Sequence, residues 1–191
     1  MHRIFFIFLI VFSASTKASE RELGNYLQYA AGIYGSIYIH EWGHAAVAYM
    51  GGATDIDIDV PRKDGSLLSG NTSYQIAEDK NSPAFKLSVD IAGLITANMA
   101  GELVIQKPGL HGNPFAQSIA TTNCIANLKH VYTYYTHIRG RDGHIGNGID
   151  AFEMDGGNPH ILSALLVTYT LWSLKRMEEK SIPLYGLEYK F

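Results

Sequence analysis

Small and apolar residues run with few breaks from Gly24 to Met50, and Gly51-Gly52 then ends the run, which predicts one long helix over residues 24–50. "TDIDIDVP" follows and alternates strictly. Ile56, Ile58 and Val60 point one way and Asp55, Asp57 and Asp59 the other, as in a half-exposed strand. Asp64-Gly65 is a turn signal, and "LLSGNTSYQI" can return as a second strand, so a β-hairpin is expected. Its three aspartates read as a solvated strand edge rather than a calcium site, because one face of a strand spreads carboxylates along a line. After Pro83, "KLSVDIAGLITANMAGELVIQ" predicts a second helix ended by Pro108, with Gly93, Ala97 and Gly101 giving it a smooth face for close helix contact. A third helix is expected over Ala116–His137, with Ile125, Leu128, Val131, Tyr132 and Tyr135 facing inward. "IRGRDGHIGNGIDAFEMDGGN" is a glycine-rich loop of the length that carries function. Asn158 and Pro159 then cap and start a last helix that exits into water through its charged end. The fold class is α+β and mainly α-helical: four or five helices around the 24–50 helix, with one hairpin.

One stretch breaks the pattern. "SIYIHEWGHAAVAYMGG" places His40, Glu41 and His44 inside an otherwise apolar helix, where unpartnered polar groups cost several kcal/mol. "HEWGH" satisfies H-E-x-x-H. Residues i and i+4 share a helix face, so His40 and His44 can direct nitrogen atoms at one zinc ion. Glu41 is rotated about a hundred degrees from His40, which puts its carboxylate beside the metal rather than on it. Water on such an ion is acidified towards pKa ~7, and Glu41 can accept its proton and pass it to a leaving amine. The expected activity is hydrolysis of peptide bonds in a peptide or protein substrate, with one Zn2+ as cofactor.

Composition narrows the setting. At 47% hydrophobic and 17% charged, the chain is globular rather than disordered. His2-Arg3, nine apolar residues Ile4–Phe12 and the small residues of "SASTKAS" read as a signal peptide over 1–18, cleaved after Ala18, with 19–191 as a single domain. The rival reading is an uncleaved N-terminal anchor. Cleavage removes Arg3 and Lys17, leaving 13 basic against 18 acidic residues, which argues against a nucleic-acid partner. Cys124 is alone and forms no internal disulfide; in "TTNCIANL" it reads as a small hydrophobe. The expected location is exported, periplasmic or secreted. Asp90, Asn98 and Glu102 interrupt the second helix and the last offers only about fifteen apolar-leaning residues, so a membrane-embedded domain is the alternative.

"HEWGHAAVAYMGGATDIDIDVP" resembles the first zinc motif of the site-2 protease family and its smaller M50B-like relatives, in which the zinc helix is followed by two glycines and a hairpin. "DIAGLITANMAGELV" is similar to the family's alanine-glycine helix that packs against the zinc helix. The resemblance covers residues 36–60, 89–104 more loosely, and 148–174 in outline. It implies a zinc peptidase whose third metal ligand is an aspartate near the start of a late helix. Asp155, in "MDGGNPHIL", resembles the larger enzymes, and Asp150, in "GIDAFEMDGGNP", the smaller ones. Asp150 is preferred, because "AFEM" can form a helical turn under it while Asp155 sits in a glycine turn. His137, His144 and Glu102 are other ligands by chemistry alone. Asp142, His111, His130 and His160 read as solvated or helix-capping residues. A reading from another class is a non-catalytic, zinc-stabilised binding protein, secreted or membrane-associated.

Overall fold

A computed structural model describes residues 20–63, 65–136 and 148–184. The expected leader at 1–18 lies outside the described residues, as do Asp64, His137, Asp142 and His144. Among the described residues the chain forms five α-helices and one two-stranded hairpin, the expected mainly α-helical α+β class. Helix α1 spans Glu20–Met50 and, at 1.5 Å per residue, is about 46 Å long. It ends as the double glycine predicts: Gly52 takes φ +88, and the amide of Ala53 reaches back to the carbonyl of Ala48.

Strands β1 (Thr54–Asp59) and β2 (Asn71–Gln75) pair antiparallel, with Asp57 opposite Ser73, Ile58 opposite Thr72 and Asp59 opposite Asn71. The alternation read in the sequence is interrupted once, by an irregularity between Thr54 and Asp57 where Asp55 takes φ 50. Ile56 packs with Tyr74, Ile76 and Phe85 on a small cluster of Ala48, Ala53 and Val89, which seats the hairpin on α1. Lys63 bridges Asp57 and Asp59 at 2.9 and 2.8 Å, so two of the three aspartates form an exposed ion-pair edge.

Helix α2 (Pro83–Gln106) is capped by Ser82, whose hydroxyl accepts from the amide of Phe85, with Pro83 at the first helical position. Its smooth face is shared between two neighbours. Gly93 lies against the histidines of α1, while Gly101 meets Asn123 and Ala120 of α3 (Pro114–Thr136). A Cβ on Gly43 of α1 would come within 2.6 Å of the Ala92 carbonyl, so α1 and α2 touch backbone to backbone at the level of the motif. Part of the expected glycine-rich loop is helical, since Gly148–Met154 forms α4. Glycines 156 and 157 end it, and Asn158 caps α5 (Pro159–Glu179) by accepting from the amides of His160 and Ile161.

The inward face expected for α3 is corrected. Ile125, Leu128, Tyr132 and Tyr135 are exposed and only Val131 is partly buried; the interior side carries Ser118, Thr121, Asn123, Cys124 and Asn127 with alanines. Small and hydrogen-bonding side chains let helices approach closely, and here they are tied together. The Ser36 hydroxyl donates to Asn123 Oδ1 at 2.7 Å, and the Asn123 amide donates to the Ala97 carbonyl. The Asn127 amide donates to Asn98 Oδ1 and Thr170 Oγ1, and the Tyr169 hydroxyl to the Asn98 carbonyl. This seam joins α1, α2, α3 and α5. Cys124 is buried, as expected of a small hydrophobe.

Candidate metal centre

The first helix, the second helix and the hairpin meet at the motif. His40 and His44, one turn apart on α1, point their Nε2 atoms at each other across 3.0 Å. Two nitrogens on one tetrahedral zinc, each about 2.0–2.1 Å from the metal, stand about 3.3 Å apart, so the pair is arranged as two ligands of one ion would be. His44 Nδ1 donates to the Val89 carbonyl of α2 at 2.6 Å. That bond places the proton on Nδ1 and leaves Nε2 a lone pair for a metal. Room for the two nitrogens exists because Gly93 has no side chain: a Cβ there would lie 2.7 Å from His40 Nε2 and closer still to His44 Nε2.

Glu41 is 6% exposed and sits under the hairpin. Its Oε2 accepts from the Thr72 hydroxyl at 2.7 Å, and the same hydroxyl lies 3.0 Å from the Glu41 carbonyl. A Cβ on Gly70 would stand 2.6 Å from Oε1, so the entry to β2 closes directly over the carboxylate. A hydrogen bond to a charged group contributes about 1.5–3 kcal/mol, enough to hold Glu41 in one orientation. An apolar groove lined by Trp42, Ala45, Ala46, Tyr49, Met50, Ile56 and Ile58 runs between α1 and β1 beside it.

Among the described residues, no third His, Cys, Asp or Glu joins the two histidines in a group able to hold a metal ion. Asp150 lies in the first turn of α4, and the residue that opens this helix, Gly148, approaches the ring of His130. Asp155 has its carboxylate 3.7 Å from Lys86 Nζ and within hydrogen-bond reach of the Asp90 carboxyl of α2. Glu102 is engaged elsewhere: the Arg176 guanidinium donates to both of its oxygens at 2.8 and 2.7 Å. His111 bonds the Ile105 carbonyl at a helix end, and His160 stacks on Tyr135, 2.8 Å from its hydroxyl. His130 differs from its reading as a solvated or capping residue. Its ring lies parallel to that of His40, centroids 5.9 Å apart. Nothing local in "NLKHVYT" signals this, because the contact joins helices 90 residues apart. No family model, curated protein or solved structure matches the chain.

Proposed function

We propose that this chain is a zinc metallopeptidase of site-2-protease-like type, acting on a peptide or protein substrate. The observation that carries the reading is the pair of Nε2 atoms converging at 3.0 Å with a buried, hydrogen-bonded Glu41 one residue away. His40 and His44 would hold the metal, with Asp150 as the third ligand ahead of Asp155. A bound zinc ion supplies a polarised substrate carbonyl and a water of lowered pKa. Glu41 would hold the proton of the attacking water on its carboxylate and return it to the leaving amine, while Thr72 keeps the carboxylate aimed. The purified chain should therefore carry one zinc, lost in His40→Ala.

The choice of aspartate has its own test. After mild chelation, Asp150→Ala should be depleted of zinc while Asp155→Ala retains it. Metal loss confined to the Asp155 variant would reverse the assignment.

Location is proposed on a specific observation that favours the membrane-embedded placement over the soluble exported one. Large apolar side chains cover the outside of the bundle: Tyr49 is 73% exposed, Trp42 61%, Met99 67% and Leu165 62%, with Ile95, Leu103, Ile125, Tyr132 and Leu171 among others. The interior carries a polar seam beside its apolar clusters. Residues 23–40, 108–128 and 156–174 contain no Asp, Glu, Lys or Arg. Helices of 24, 23 and 21 residues reach about 31 Å or more, which matches a hydrocarbon core of roughly 30 Å. Among the described residues, α2 alone is long and apolar enough by mean hydropathy to qualify on its own. The chain is expected to stay with membranes through a carbonate wash and to need detergent for release; recovery in the wash supernatant would restore the soluble reading.

A further inference from the structure

We infer that His130 is a positioning residue of the metal centre, whose ring sets the plane of His40 and thereby the affinity for the metal. The inference rests on the zinc reading above. Two partners flank the His40 imidazole in different ways. The His44 ring meets it edge-on, centroids 4.8 Å apart at 74°. The His130 ring, from α3, lies over it nearly parallel, at 5.9 Å and 15°.

The two ligand candidates are also secured differently. His44 is fixed by the bond from its Nδ1 to the Val89 carbonyl, the outer partner that a metal-bound histidine needs to hold its tautomer and orientation. Among the described residues, His40 has no such bond; its side-chain hydrogen bond is the one between the two Nε2 atoms. What fixes its plane is therefore packing, and the flat surface against it is His130, within the range in which aromatic rings attract. The same ring is the neighbour of Gly148, where a Cβ would stand 3.9 Å from His130 Cε1. His130 thus neighbours both His40 and the helix that carries Asp150.

Zinc affinity of the full-length chain, measured by competition with a chromophoric chelator, tests this together with the visible spectrum of the cobalt(II)-loaded protein. His130→Phe keeps a flat ring and no ligand nitrogen; His130→Leu fills the space without a plane. The Phe variant should bind zinc within about threefold of wild type and the Leu variant 10–100-fold more weakly, the usual cost of losing an outer partner. Both should keep the wild-type cobalt bands, because the ligand set is unchanged. Equal weakening of both with altered bands would make His130 a ligand and overturn the inference. Unchanged affinity in the Leu variant would overturn it too. A wild-type chain that binds neither metal would instead sink the zinc reading on which it stands.

Discussion

Glu41→Gln is expected to keep close to one zinc per chain while proteolysis falls by 10²–10⁴-fold, the usual contribution of a positioned general base. The substitution is nearly isosteric. Glutamine fits under Gly70 and its carbonyl oxygen still accepts from Thr72, so the fold and the seat of the side chain are kept. His40 and His44 are untouched, and their convergent Nε2 atoms do not depend on the residue between them. Only the capacity to take a proton is lost. Metal content by elemental analysis and cleavage of an unstructured peptide in detergent, measured on the same preparation, check the split. Undiminished cleavage would remove Glu41 from the mechanism, and a matching loss of zinc would make it a ligand. The non-catalytic, zinc-stabilised alternative predicts no cleavage by the wild type in the first place.

Gly93→Ala is expected to abolish metal binding without unfolding the chain. Alanine is the better helix former by about 1 kcal/mol, so α2 itself gains from the change. The added methyl, however, would stand 2.7 Å from His40 Nε2 and closer to His44 Nε2. Those atoms are the metal-facing ones. His44 can retreat only by giving up its 2.6 Å bond to Val89, and that bond is what orients its lone pair. One methyl group therefore occupies the space in which the two nitrogens converge. Far-ultraviolet circular dichroism should match wild type while zinc content falls to background. A Gly93→Ala protein with full zinc would mean that the histidines do not meet a metal at this face of α2.

The chain announced the helix over 24–50, the double-glycine stop, the hairpin, the Asn158-Pro159 start and the alanine-glycine face of α2 through local signals. Each rests on a few neighbouring residues: a backbone that only glycine adopts, a cap within reach of the first amides, a period of two or of four. "HEWGH" belongs with them, because i and i+4 spacing alone puts two imidazoles on one side of a helix. The aim of α3 was not legible in the same way. Its large residues look like a core stripe, yet Ile125, Leu128 and Tyr132 face outward while Asn123 and Asn127 face in. Periodicity tells which residues share a face; it does not tell whether that face meets protein, water or lipid. Only tertiary structure decided that, by pairing Ser36 with Asn123, and Asn127 with Asn98 and Thr170, across helices. It also decided that Thr72 and Gly70 close over Glu41, that Val89 orients His44, and that His130 lies on His40. These contacts join residues 29 to 90 positions apart, and each depends on how closely two backbones approach, which a string of residue types does not encode locally.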